Sequence, residues 1–170
     1  MTGVQTCALP IFPEVNSTTD GRAVRWNARV HLGMAVNVEG GLVVPVIRDA
    51  DGLSLAEIHE RAAEIAERAR QGKLKPDEMA GSTFTISNMG MLDVENFTAI
   101  INPGESAILA VSSIRPRPVA RDGQVVVRDQ MKVTLSADHR ILDGASAARF
   151  ANALKAKLED IEAWKTMTSS

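Results

Sequence analysis

Nine residues constrain this chain more than any others: Ser136-Ala137-Asp138-His139-Arg140-Ile141-Leu142-Asp143-Gly144. Before them, Met131, Val133 and Leu135 alternate with Lys132 and Thr134, the two-residue period of a half-buried strand. After them, Ala147, Phe150, Ala151, Leu154, Leu158 and Ile161 recur at helical spacing, which predicts an amphipathic helix over residues 144–164. A histidine and an aspartate four residues apart therefore lie on a short strand-to-helix connection. Two rigid elements hold such a turn, and scaffolds of this kind carry functional groups on their loops.

The rest of the chain supplies further strands and one more long helix. Residues 14–28 read as irregular, with a turn at Asp20-Gly21. Residues 29–39 read as a strand, Glu39-Gly40-Gly41 as a tight reversal and residues 42–47 as the returning strand. Pro45 has no N–H to give, so the sheet is expected to be irregular there. Residues 54–71 form the clearest helix. Ser54 and Glu57 stand at capping-box spacing, Leu55, Ile58, Ala62, Ile65 and Ala69 make an apolar face, and Gly72 ends it. Its charged side reads as a solvated face. One helical turn is expected over 76–79, a strand over 83–87 and a bend at Asn88-Met89-Gly90. Residues 97–101 are apolar and ambiguous between helix and strand. A turn follows at Asn102-Pro103-Gly104, then a buried strand over 107–114. Arg115-Pro116-Arg117-Pro118 leaves the sheet, and residues 119–127 form a hairpin around Asp122-Gly123.

Composition excludes several classes. The length of 170 residues suits one domain, and 45% hydrophobic with 24% charged residues is the balance of a soluble globular protein. A net charge of −2 argues against nucleic acid as a partner, and no apolar run is long enough to span a membrane. One cysteine, Cys7, rules out an intrachain disulfide, and no Cys/His cluster has zinc spacing, so no metal site is expected. A reducing, intracellular setting follows. Residues 1–12 carry no charge and no period, and are set aside as a leader foreign to the fold.

Three side chains are candidates for chemistry. His139 has a pKa near neutrality in the unperturbed state, so it suits a general base acting on a thiol or hydroxyl; it equally suits a hydrogen-bonded loop histidine. Asp143 precedes the last helix and reads as its N-cap, a role compatible with bracing the His139 loop. Ser87 ends a strand, where its hydroxyl could donate to a developing oxyanion or simply close the strand. No G-x-S-x-G elbow surrounds it, so a hydrolase nucleophile is not indicated.

Three stretches together carry a resemblance: SADHRILDGASAARF, GSTFTISNMGMLDVENFTAIINPGESAILAV and VNVEGGLVVPVIRDADGLSL. They resemble the catalytic domain of the dihydrolipoamide acyltransferases, the core subunits of 2-oxoacid dehydrogenase complexes. The D-H-R-x-x-D-G-A hallmark stands intact over residues 138–145. The resemblance implies an α/β fold similar to chloramphenicol acetyltransferase, a two-layer sandwich in which helices cover a mixed β-sheet. It implies passage of an acyl group between a dihydrolipoamide thiol and coenzyme A, here a substrate. Acetyl is favoured, with succinyl and branched-chain acyl groups open. It assigns His139 as the general base, Ser87 as the donor to the oxyanion and Asp143 as the residue that holds the loop. Asn37, Asn88 and Ser112 fall at positions that line the coenzyme A site.

The same resemblance implies a homotrimer built into a larger core, with Ser87 of one chain serving His139 of its neighbour. The full complex adds a 2-oxoacid decarboxylase and dihydrolipoamide dehydrogenase. Residues 13–165 match a domain that lacks its N-terminal third, with 166–170 as a tail. The lipoyl group would ride on a domain absent from this chain. The absent third supplies one wall of the lipoamide channel and an arginine opposite the position of Asp143. Location is expected to be the bacterial cytoplasm, or the mitochondrial matrix in a eukaryote. Two alternatives are a non-catalytic core scaffold, against which the retention of His139 and Ser87 counts, and an antibiotic O-acetyltransferase of the same fold.

Overall fold

The computed structural model describes residues 9–168. Its first residues belong to the core. Leu9 and Val15 are fully buried, and Phe12 packs edge-on against Phe150 with ring centroids 5.7 Å apart. Leaving residues 1–12 out of the fold is therefore corrected from Leu9 onward. The segment looked foreign because its partners lie far along the chain. Cys7 lies outside the described residues.

Residues 14–28 are not irregular. A 3-10 turn over Pro13–Asn16 leads into β1 (Ser17–Thr19) and β2 (Val24–Trp26), an antiparallel hairpin about the expected Asp20-Gly21 turn. The Asp20 carboxylate accepts from the N–H groups of Arg22 (2.9 Å) and Ala23 (3.0 Å) and closes it. Three-residue strands are too short to show an alternating pattern.

Next come β3 (Leu32–Val38), β4 (Gly41–Val43) and β5 (Val46–Ile47). Gly40, at φ 88°, makes the reversal that the two glycines foretold. Val36 pairs with Val43 and Leu32 with Ile47, so β4 and β5 keep one register and form a single returning strand with a break. The break is Pro45. Its carbonyl still accepts from Met34 N–H at 2.9 Å, but it has no N–H to return.

Helix α1 (Leu55–Arg70) begins with the capping box that its sequence shows. Glu57 N–H donates to Ser54 Oγ (3.2 Å), and Ser54 N–H donates to the Glu57 carboxylate (2.8 Å). Ile58, Ile65 and Ala69 are its buried residues. After a 3-10 turn over Pro76–Met79, β6 (Phe84–Asn88) lies parallel to β3, and β7 (Ala107–Val111) lies parallel to β6. All five residues of β7 are buried, as the apolar run predicted.

Two departures follow. β8 (Arg115–Arg121) and β9 (Gln124–Gln130) form a ribbon longer than the expected hairpin, and Arg115-Pro116-Arg117-Pro118 belongs to it. The chain does leave the main sheet there. Pro116 and Pro118, two residues apart, withhold N–H groups from the same edge, which suits a strand paired on one side only. Asp122 and Gly123, both at positive φ, make the turn. After β10 (Val133–Ala137), the last helix is not continuous. It divides into α2 (Gly144–Glu159) and α3 (Ile161–Thr168). Asp160, at ψ 84°, leaves helical geometry and its carboxylate caps the second piece at Ala163 N–H (3.0 Å). The expected tail at 166–170 is helical as far as Thr168.

The six-stranded mixed sheet runs in the order β10-β7-β6-β3-β4, with β5 also on β3. One face carries Phe84, Ile86, Leu109, Val111 and Leu135 and meets Ile58, Phe150 and Leu154 from the helices. This is the expected sandwich of helices on a mixed sheet. The other face presents Thr85, Thr134 and Ser136. Residues 93–102, which include the ambiguous segment 97–101, lie over it as a strap. Thr134 Oγ1 bonds Asn96 Oδ1 (2.8 Å), Ser136 Oγ donates to Ala99 O (2.6 Å) and Asn102 Nδ2 donates to Thr85 Oγ1 (2.9 Å). Its apolar residues read as neither helix nor strand because side-chain anchors hold it, not a backbone ladder.

Candidate active site: two half-sites at opposite ends of one sheet

The turn after β10 is built almost wholly from Asp138. Its N–H donates to Ser106 O (2.8 Å), and its carbonyl accepts from Ile141 N–H (2.9 Å) and Leu142 N–H (3.0 Å). Leu142 is 1% exposed and plugs the turn into the core. The Asp138 carboxylate takes the guanidinium fork of Arg140, with Nη2 at 2.6 Å and Nε at 3.0 Å from both oxygens. That fork, with Arg140 N–H, holds the Asp138 carboxyl below the usual range. His139 stands exposed between the two, and its imidazole makes no hydrogen bond among the described residues.

Asp143 is the N-cap of α2, accepting from Ser146 N–H at 2.6 Å. That bond lowers the Asp143 pKa. A carboxyl whose pKa is depressed on folding contributes stability above its unfolded value, about 3.9, and loses it as pH falls through the folded value. Asp143→Ala is expected to lower the thermal midpoint by a few degrees near neutrality, with the gap closing in acid. Thermal unfolding across a pH series reads this. A gap that stays constant into acid would show that the carboxylate is not the cap.

A second group gathers at the other end of the sheet, where the parallel strands finish. Ser87 is half-buried on β6, level with Ala35 of β3 and Ala110 of β7, and its hydroxyl has no hydrogen bond among the described residues. Asn88 follows it, its Oδ1 accepting from Gly90 N–H at 2.8 Å. Ser112 directly follows β7; it is 1% exposed and its Oγ has no hydrogen-bond partner among the described residues. A side chain on Gly90 would meet Asn88 Oδ1 at 2.9 Å and Ser112 O at 3.4 Å, so Asn88 and Ser112 flank one crowded point. Asn37 lies two residues beyond Ala35, exposed, at the same end.

One chain does not bring His139 and Ser87 together. Ala137 pairs with Ala107, which puts His139 level with Glu105, whereas Ser87 is level with Ala110. Five residues of strand at ~3.3 Å each and two inter-strand gaps of ~4.8 Å separate them, about 17 Å along the sheet and about 10 Å across it. A groove of about 1020 Å³ lies between the β8–β9 ribbon and α2, and none of these six residues lines it. Among the described residues, no three His, Cys, Asp or Glu side chains form a group that could hold a metal ion, and no helix is long and apolar enough to cross a membrane.

Sequence reasoning passed over two features. Arg140 and Asp138 are opposite charges two residues apart, a signal that was present but unread. Glu105 is 6% exposed, and its Oε1 accepts from Ser82 Oγ (2.5 Å) and Thr85 Oγ1 (2.7 Å). Nothing in the local sequence marks it, because its two closest donors lie about twenty residues earlier in the chain.

A sequence model of one family, the 2-oxoacid dehydrogenases acyltransferase (catalytic domain), matches residues 3–166. This chain belongs to that family. The match begins inside the segment that was set aside as a leader. Among curated relatives of this chain is the dihydrolipoyllysine-residue acetyltransferase component of the mitochondrial pyruvate dehydrogenase complex of Schizosaccharomyces pombe, 48% identical over 91% of this chain and 33% of its own length. Another is the succinyltransferase component of the 2-oxoglutarate dehydrogenase complex of Cupriavidus necator, 44% identical over 90% of this chain and 37% of its own. The chain thus spans about a third of the length of the curated relatives it matches.

The solved dihydrolipoamide acetyltransferase of Azotobacter vinelandii superposes with a TM-score of 0.88 at 42% identity, over 95% of this chain and 68% of that one. It was studied for the role of one serine, one histidine and one asparagine in its catalytic mechanism. A chloramphenicol acetyltransferase superposes over 92% of this chain and 75% of its own with a TM-score of 0.55 at 13% identity, which shows the shared fold alone.

Proposed function

We propose that this chain is the acyltransferase core subunit of a 2-oxoacid dehydrogenase complex, moving an acyl group between dihydrolipoamide and coenzyme A. The observation that carries the reading is a pair of spacings. In the Azotobacter acetyltransferase the serine and histidine lie 52 residues apart, and the histidine and asparagine four. Ser87 and His139 are 52 apart here, and His139 and Asp143 four. Asp143 stands where that enzyme has an asparagine. Either side chain offers an oxygen for capping α2, so this position holds the loop and does not carry the proton.

The chemistry follows from these groups. A free thiol of pKa about 8.5 is mostly protonated near neutrality, so a positioned base accelerates attack. His139 takes the proton of the coenzyme A thiol. The thiolate sulfur bonds to the thioester carbon of acyl-dihydrolipoamide, and the carbonyl π pair moves onto oxygen. The Ser87 hydroxyl donates to that oxyanion. Collapse re-forms the carbonyl and breaks the bond to the dihydrolipoamide sulfur, which leaves with the proton held by His139. Because one chain holds the two residues about 17 Å apart along the sheet, the working site takes His139 from one chain and Ser87 from the next. That geometry supports assembly of several copies, here a trimer within a larger core.

In this reading Asn37, Asn88 and Ser112, beside Ser87, face coenzyme A. The lipoyl group is carried by a domain outside this chain. The decarboxylase and the dihydrolipoamide dehydrogenase are its other partners, and the bacterial cytoplasm is its setting. Acetyl is favoured as the acyl group; acetyltransferase relatives at 40–48% identity bracket the succinyltransferases at 43–44%, so the comparison of acyl donors decides it.

The test is acetyl transfer from acetyl-coenzyme A to dihydrolipoamide, followed as coenzyme A release. The assembled protein would be this chain joined to the part of the Azotobacter domain that it does not span. Transfer faster with acetyl than with succinyl or branched donors is expected. Assembly with no transfer from any donor would favour the scaffold.

A further inference from the structure

We infer that Asp138 and Arg140 form a clamp that aims His139, and that both are positioning residues for the transfer reaction. The inference rests on the reading of His139 as the base. Every polar group of Asp138 is spent on the turn: its N–H on Ser106, its carbonyl on Ile141 and Leu142, and its carboxylate on Arg140. Arg140 N–H adds a further bond to Asp138 Oδ1 at 3.0 Å. Residues 138–140 are therefore closed into a ring through their side chains, and the one side chain left outside that ring is His139.

The pair sits where it adds little to stability. The Arg140 side chain is 67% exposed, and exposed ion pairs are weak. Its geometry is another matter. A guanidinium fork meets a carboxylate in one plane, so it fixes orientation as well as distance. The ring in turn sets the Cα–Cβ direction of His139 at the end of β10, whose register on β7 is continuous from Val133 to Ala137. In the proposed site the base must reach a thiol at an oxyanion donor supplied by another chain, and no hydrogen bond to its imidazole among the described residues steadies it. Reacting groups misplaced by about 1 Å lose on the order of 100-fold in rate.

The experiment uses the assembled protein described above, with steady-state transfer measured for Arg140→Met, Asp138→Asn and the double variant. Arg140→Met is expected to lower kcat about 10- to 100-fold with KM for coenzyme A within about twofold. Asp138→Asn should fall in the same way, and the double variant no further than the worse single, since all three break one pair. Unchanged kcat in assembled Arg140→Met and Asp138→Asn would overturn the clamp. So would a raised KM for coenzyme A with kcat kept, which would make Arg140 a ligand contact. If Arg140→Met does not assemble, Asp138→Asn, which keeps shape and one acceptor, decides by the same two criteria. A His139→Ala control separates the two readings. Transfer retained there removes the base and the clamp together. Transfer lost there, with full rates in both clamp variants, removes the clamp alone.

Discussion

His139→Ala in the assembled protein is expected to lose acyl transfer by about 100- to 10,000-fold, the range a positioned general base contributes. The fall should be in kcat, with KM for coenzyme A little changed, because in the proposed mechanism the imidazole acts on the thiol proton and does not hold the nucleotide. Folding should be intact: His139 is exposed and its imidazole makes no hydrogen bond among the described residues, so its removal leaves no buried group unpaired. His139→Gln serves as a control of similar size that cannot take a proton. Steady-state transfer to dihydrolipoamide reads both variants. Activity within a few-fold of the parent in either would mean that the base lies elsewhere.

The second expectation concerns two inactive chains that restore each other. Ser87→Ala removes the oxyanion donor, a loss of about 100-fold or more. His139→Ala removes the base. Strand register puts these residues at opposite ends of one sheet. In a cyclic assembly, a His139→Ala chain therefore contributes Ser87 to a neighbour that still has His139. When the two variants are unfolded together and reassembled in equal amounts, about one site in four should hold both residues, and activity should return to about a quarter of the parent. Each variant reassembled alone should remain inactive. If the mixture stayed as inactive as its parts, the two residues would not meet across a boundary between chains, and the two-chain site would be abandoned. Few other outcomes could mimic the recovery, since neither chain holds a complete pair.

Local signals in this chain were read correctly where local forces act alone. The capping box at Ser54 and Glu57 formed because the groups that satisfy each other lie within one turn of helix. Pro45 broke the returning strand because a missing N–H is a property of the residue itself. The turns at Gly40 and at Asp122-Gly123 followed from the freedom of those residues at positive φ. The motif at residues 138–145 marked the turn, and with it the place of His139 and Asp143. Misreadings came where distant partners decide. Leu9 and Phe12 looked foreign because Leu9 joins a core, and Phe12 a ring contact with Phe150, built from residues far along the chain. The hairpin of β1 and β2 left no pattern in strands of three residues. The strap near residues 93–102 is anchored by Thr134, Ser136 and Thr85, side chains that no window around it contains.

The order of residues was thus enough for the fold class, for the caps and turns, and for the chemical character of Ser87, His139 and Asp143. Each of these depends on what a residue is and on neighbours within a few positions. The distance between Ser87 and His139 depends instead on which strands pair and in what register. Parallel pairing of β6 with β7 and antiparallel pairing of β7 with β10 carry the serine to one end of the sheet and the histidine to the other. Strand pairing is a non-local choice made by burial of one face against α1 and α2, and no spacing along the chain encodes it. The same holds for the closed ring of Asp138 and Arg140, whose charges were visible in the sequence but whose planar contact exists only once Ser106 and Leu142 have pinned the turn.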